Sequence, residues 1–307
     1  MNILLFIATI FSTFFVGIIL SFSFIYSEEI SQEVELVQNI AIFKDEKILL
    51  LALAYSATLM GILLAHELGH YLTCRYYRIK ATLPYFMPAP TFIGTFGAFI
   101  KIKSPITTKK ALFDIGVAGP LAGFFLSLPA VFYGLSASKV VTSLPEEGTI
   151  IFGDPLILQI AAKLILKGIP WEYNVILHPI AFAGWVGILV TAFNLFPVGQ
   201  LDGGHIAYSL LGRKATIVAR FFFILFILMG IFFWMGWFLW AFIIFIMGLK
   251  HPRIADEVTS LSLKRRYLGV VVLIVFILSF IPAPVKGYSF LEVFHQFFEN
   301  FLTKFWT

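Results

Sequence analysis

The sequence predicts an all-α polytopic membrane protein with about six to seven transmembrane helices. Its 307 residues are 60% hydrophobic and 17% aromatic, and only 13% are charged, about half the charged share of a typical soluble domain. Apolar runs long enough to cross a bilayer recur along the chain. They lie at about 2–26, 48–73, 112–135, 176–198 and 267–282.

A further apolar run, at about 217–249, is too long for one ordinary span and carries Trp-Met-Gly-Trp at 234–237. We interpret it as two short helices joined by a tight turn. The first run has no basic segment before it and no obvious small-residue cleavage site, so we expect a retained anchor rather than a signal peptide. The single cysteine, Cys74, excludes an intrachain disulfide and a Cys-rich metal site.

The lysines and arginines predict the orientation of the spans. Segment 27–47 carries six acids and two lysines, whereas segment 74–110 carries seven basic residues and no acid. Basic loops stay cytoplasmic, so the second span should run from outside to inside. The other basic clusters would also be cytoplasmic if the 217–249 run is a hairpin. They comprise Arg213, Lys214, Arg220, Lys250, Arg253 and residues 264–266.

We therefore expect a multi-pass protein of a prokaryotic cytoplasmic membrane. The net charge of +5 is explained by this topology, because the basic residues flank the apolar spans. No nucleic acid partner is predicted.

The motif His-Glu-Leu-Gly-His, from His66 to His70, lies inside the second apolar run. Two histidines four residues apart lie on one face of a helix, so both imidazoles can hold a single zinc ion. Glu67 can then take a proton from a water molecule at that ion. Ionisable groups at membrane depth are costly unless they pair, bind a metal or do chemistry. The motif therefore predicts a Zn²⁺ cofactor, in an active site near the cytoplasmic side of the membrane.

A second motif ends the fourth run, where Asn194-Leu-Phe-Pro197 leads to Asp202-Gly-Gly-His. Pro197 should stop the helix. A catalytic zinc usually has three protein ligands and one open position, and Asp202 is the best candidate for the third ligand. The alternative is that Asp202 is the N-cap of a helix over 203–211. His66 and Asn194 each lie about 27 Å of helical rise into their runs, so the two motifs should meet at a similar depth.

Together these motifs resemble the site-2 protease family of intramembrane zinc metalloproteases, over about residues 48–250. Residues 137–175 are too few for a PDZ domain, so the resemblance is to the PDZ-less branch. It implies that zinc is bound by His66, His70 and Asp202, that Glu67 is the general base, and that Asn194 assists near the scissile peptide. The implied partners are a membrane-protein substrate with a transmembrane helix and the lipid bilayer; the oligomeric state stays open.

The stretch 84–103 is broken by three prolines and two glycines, and 96–103 could form a strand of a short hairpin. It resembles the membrane-re-entrant β-hairpin of that family. A free strand edge beside the zinc would pair with an extended substrate, and the residues predicted to do so are Gly97, Ala98, Phe99 and Ile100. The alternative is an ordinary interfacial loop.

The predicted function is intramembrane cleavage of a transmembrane segment of substrate proteins. One alternative is a zinc protease of the prenyl-protein protease type, which typically takes its third ligand from a glutamate on a later helix. The other is a metal transporter or inactive scaffold, although a transporter should have polar residues along several spans. The expected organisation is an anchor helix and acidic extracytoplasmic loop at 1–47, a catalytic core at 48–211 and C-terminal helices at 212–307.

Overall fold

The computed structural model describes residues 1–27, 44–142, 150–168, 173–256, 258–296 and 298. Most of the predicted acidic loop at 27–47, parts of 137–175 and the end of the C-terminal tail lie outside these residues. The described helices are α1 Asn2–Ile25, α2 Glu46–Tyr76, α3 Lys109–Ser136, α4 Leu156–Ile165, α5 Pro179–Leu195, α6 Asp202–Leu211, α7 Ala215–Phe232, α8 Gly236–Met247 and α9 Leu263–Ser279. Four short strands accompany them: β1 Tyr85–Pro88, β2 Thr95–Phe99, β3 Lys139–Val141 and β4 Asn174–Ile176.

Four helical segments among the described residues are long and apolar enough to cross a membrane. They are Asn2–Ile25, Glu46–Tyr76, Lys109–Ser136 and the run Asp202–Phe232. Shorter apolar helices are Leu156–Ile165, Pro179–Leu195 and Gly236–Met247. The structure therefore confirms a helical membrane protein, while the number of six to seven spans stays a prediction.

The chain divides into two compact units, and the first comprises Met1–Ile106, Ala118–Glu147 and Ile157–Thr191. In this unit α1 packs closely on α2, because Gly17 has no side chain and lies against the backbone of Ala52. The Thr13 and Ser56 hydroxyls hydrogen-bond across this contact at 2.7 Å. Asp45 begins α2 as an N-cap, since its carboxylate accepts from the backbone N–H of Lys47.

The predicted hairpin is present in the first unit, with β1 and β2 antiparallel. Its bounds differ from the prediction, because β2 ends at Phe99, which leaves Ile100 outside the strand. The register shifts between Phe86 and Pro88, and Gly97 opposite them has φ +98°. An extra residue with positive φ in one strand is a β-bulge, which glycine accommodates best.

The second unit comprises Thr107–Val117, Gly148–Leu156 and Ala192–Thr307. The 217–249 run forms two helices, as interpreted, with α7 ending at Phe232 and α8 beginning at Gly236. Phe226 of α7 stacks on Trp237 of α8 at 5.2 Å, so the two helices pack back on each other. Asp114 in the first turns of α3 accepts two hydrogen bonds from Arg265 of α9, at 2.8 and 2.7 Å.

Candidate metal centre

The His-Glu-Leu-Gly-His motif lies in α2, about twenty residues from its start. His66, Glu67 and His70 are all buried, with exposed fractions of 4%, 6% and 6%. The two Nε2 atoms lie 3.1 Å apart. Two nitrogens bound to one tetrahedral zinc at about 2.0–2.1 Å are separated by about 3.3 Å. The spacing of the imidazoles therefore fits a shared ion.

Two glycines of α3 make room for these imidazoles. Gly119 lies so close to His70 that a Cβ there would overlap the ring. A Cβ at Gly123 would meet His66 Nδ1 at 3.2 Å. The glycines repeat every four residues, as the histidines do, so one face of α3 lies along the histidine face of α2.

The second motif folds as the sequence predicts. α5 ends at Leu195, two residues before Pro197, and α6 begins at Asp202. Its N-cap is Leu201, with no side-chain cap hydrogen bond, so the alternative in which Asp202 is the N-cap is wrong. The next two residues, Gly203 and Gly204, pack closely against backbone carbonyl groups of the preceding turn. A Cβ at either glycine would collide with the carbonyl oxygens of Leu195, Phe196, Val198 and Gly199.

The three predicted ligands are divided between the two compact units. His66 and His70 are buried in the first unit, and Asp202 is partly buried in the second. Two imidazoles and one carboxylate form a donor set used by catalytic zinc. A zinc site made by His66, His70 and Asp202 stays a prediction.

For the other predicted site residues, the structure gives a position and an exposure. Asn194 lies in the last turn of α5 and is partly buried. Of the predicted substrate-binding residues, Gly97, Ala98 and Phe99 lie in β2 and Phe99 is exposed. Their roles stay predictions.

A histidine pair not foreseen from the sequence supports α6. His205 Nδ1 lies 2.7 Å from His251 Nε2, and His251 Nδ1 lies 2.6 Å from the Pro252 carbonyl. Since a carbonyl only accepts, His251 Nδ1 carries the hydrogen, and its Nε2 accepts from His205. Burial lowers the pKa of His251, despite an opposing effect of the Pro252 hydrogen bond, which favours this neutral form. Tyr208 stacks on the same ring at 4.4 Å.

Comparison with known proteins identifies the family. The model of peptidase family M50 matches residues 54–237, which is more than half of the chain and includes both motifs. The chain belongs to peptidase family M50. This membership confirms the resemblance to site-2 proteases, whereas the PDZ-less branch stays a prediction.

Curated relatives of this M50 chain are plant proteins. "Probable zinc metalloprotease EGY1, chloroplastic" from Arabidopsis thaliana is 37% identical over 171 residues, which are 54% of this chain and 31% of that protein. "Probable zinc metalloprotease EGY2, chloroplastic" from the same plant is 34% identical over 239 residues, 75% of this chain and 41% of that protein. "Probable zinc metalloprotease EGY3, chloroplastic" from Oryza sativa subsp. indica is 30% identical over 251 residues, which are 76% of this chain and 42% of that protein. The M50 chain thus matches less than half the length of each.

Proposed function

We propose that this M50 chain is an intramembrane zinc endopeptidase that cleaves a transmembrane segment of substrate proteins. The observation that carries the proposal is the buried pair His66 and His70, whose Nε2 atoms lie 3.1 Å apart, with the buried Glu67 directly after His66 in the chain. The names of the relatives, each a probable zinc metalloprotease, support it. An aspartate as third ligand disfavours the prenyl-protein protease type. The intact ligand set and base disfavour an inactive scaffold.

The proposed chemistry assigns a role to each residue. His66, His70 and Asp202 would hold the zinc ion, which would polarise the scissile carbonyl and lower the pKa of a water molecule toward about 7. The Glu67 carboxylate would accept a proton from the water as its oxygen bonds to the carbonyl carbon, and would deliver that proton to the amide nitrogen as the C–N bond breaks. Asn194 donates a hydrogen bond near the scissile peptide.

The membrane arrangement is part of the proposal. α5, α8 and α9 would join the four longer helical segments as spans, which gives seven, the upper end of the predicted six to seven. The basic segment 74–110 would be cytoplasmic, which puts the metal centre near that side. A prokaryotic cytoplasmic membrane stays a prediction, since the curated relatives carry the word chloroplastic.

Zinc should bind at about one ion per chain. Changing both His66 and His70 to alanine should remove it, because one carboxylate cannot hold the ion alone. Metal analysis of the purified protein measures this directly. A control with His178 and His295 changed to alanine removes the same number of imidazoles elsewhere and should keep its zinc. Full occupancy in the first variant would refute this ligand set.

The hairpin would hold the unwound substrate by main-chain pairing. The Lys101 carbonyl accepts from the Thr82 N–H at 3.0 Å, so residue 101 faces the first strand of the hairpin. Strand alternation then turns Phe99 toward the first strand and leaves the N–H and C=O of Ala98 on the outer edge.

Because of this alternation, proline variants at positions 98 and 99 should have different effects on the hairpin. Ala98→Pro removes an outward N–H and should lower cleavage while the hairpin and zinc are retained. Phe99→Pro removes an N–H that faces the first strand and should disrupt the hairpin as well. Ala98→Val keeps the N–H and suits a strand, so it should cleave nearly as well as wild type. Cleavage of a model transmembrane substrate checks the series; equal rates for Ala98→Pro and Ala98→Val would exclude the edge-strand role.

A further inference from the structure

A cleft of about 520 Å³ lies at the C-terminal end of α2. Its charged lining residues are four cations, Arg75, Arg78, Lys80 and Lys103, and no acid lines it. Tyr71 forms part of the wall, and its hydroxyl accepts from an Arg75 guanidinium N–H at 3.1 Å. Like charges gathered in one cleft repel one another, so the arrangement favours an anionic occupant.

Arg78 adopts a backbone conformation that glycine usually takes. Its φ of 56° makes it the one non-glycine residue with positive φ in the described part of the chain. It follows the last turn of α2, where its N–H bonds to the Arg75 carbonyl and the next N–H bonds to the Cys74 carbonyl. Glycine is the usual residue in such a helix-ending turn. A strained position that keeps an arginine indicates that its side chain is needed there.

Two further cations of the cleft, Lys80 and Lys103, lie opposite each other on two paired extended segments. The Lys103 N–H bonds to the Lys80 carbonyl at 2.7 Å, and the adjacent residues Ala81 and Ile102 form an antiparallel bridge. Like charges opposite each other on paired strands are destabilising. The dipole of α2 favours a cation in its last turn, such as Arg75, but it does not explain two lysines beyond the helix.

The cleft adjoins a surface suited to lipid. Leu72 and Tyr76, in the last two turns of α2, are exposed by 62% and 78%. α2 is long and apolar enough to cross a membrane, so the cleft lies where such a helix leaves the hydrocarbon. We propose that the cleft binds the phosphate headgroup of an anionic phospholipid, whose acyl chains lie along this exposed apolar surface. Phosphate oxygens accept hydrogen bonds from guanidinium and ammonium groups. The proposal does not depend on protease activity.

The test compares lipids and two matched charge removals on the full chain in neutral detergent. Binding of short-chain phosphatidylglycerol, phosphatidylcholine and inorganic phosphate is measured by native mass spectrometry. Lys80→Gln with Lys103→Gln should weaken phosphatidylglycerol binding at least about tenfold. Lys264→Gln with Arg266→Gln removes the same charge from the exposed start of α9 and should change binding less than about threefold. Equal losses in the two variants would reduce the effect to overall charge and overturn the proposal, as would phosphatidylcholine or free phosphate binding as tightly as phosphatidylglycerol.

Arg78→Gly provides a variant that should fold at least as well as wild type. Glycine relieves the positive φ, so the midpoint of thermal unfolding without added lipid should stay the same or rise. Phosphatidylglycerol binding should nevertheless weaken several-fold, because a guanidinium is lost from the cleft. Unchanged phosphatidylglycerol affinity in Arg78→Gly would remove the reason for the strained arginine and overturn the proposal.

Discussion

Replacing Glu67 by glutamine should leave the metal in place and slow substrate cleavage by more than about a hundredfold. The Glu67 side chain is buried, at 6% exposure, and the residue directly follows His66 of the candidate metal centre. Glutamine keeps its size and polarity but has no carboxylate to accept a proton at neutral pH. General acid–base catalysis contributes typically 10²–10⁴-fold, so loss of the base alone accounts for the effect.

The measurement pairs zinc content with the cleavage rate of a model transmembrane substrate. Glu46→Gln is the matched control, because Glu46 lies exposed in the first turn of the same helix and should cleave like wild type. Turnover of Glu67→Gln at the wild-type rate would make Glu67 a structural residue. Loss of zinc in Glu67→Gln would instead mean that the carboxylate helps to hold the metal.

The helices of this protein could be predicted because their causes are local. A run of about twenty apolar residues has few alternatives to a membrane helix. α5 stops two residues before Pro197 because proline cannot continue a helix. The break between α7 and α8 falls beside Gly236, in the Trp-Met-Gly-Trp segment. The pairing of His66 and His70 could also be predicted, because residues four apart lie on the same face of a helix.

What sequence reasoning missed depends on partners far apart along the chain. His205 and His251 are 46 residues apart, and no periodicity links them. The register of β2, which excludes Ile100, depends on a bulge at Gly97 and on where pairing with β1 begins. Gly119 and Gly123 did carry a signal. Their four-residue spacing equals that of the histidines, which is the pattern expected when two helices meet closely along small residues.

A single methyl group at Gly119 is expected to disable the metal centre without removing any ligand. The Cβ of Gly119→Ala would overlap the His70 ring, including Nε2. The added atom belongs to a helix backbone and cannot rotate away, so the imidazole must leave its position. Displacing one of three protein ligands should lower zinc affinity by about a hundredfold or more, since even outer-shell changes typically cost 10–100-fold. Competition with a chelator measures the affinity.

Two other glycines make this a graded series. Gly123→Ala places its Cβ 3.2 Å from His66 Nδ1, so a small shift of the ring suffices and the loss should be milder. Gly61→Ala, in α2, meets nothing within 4 Å and should bind zinc normally, while alanine favours the helix by about 0.5–1 kcal/mol. Thermal unfolding of the metal-free proteins separates a displaced ligand from a lost fold. If Gly119→Ala folded and bound zinc as tightly as Gly61→Ala, His70 would not be a ligand in the position that the structure gives it.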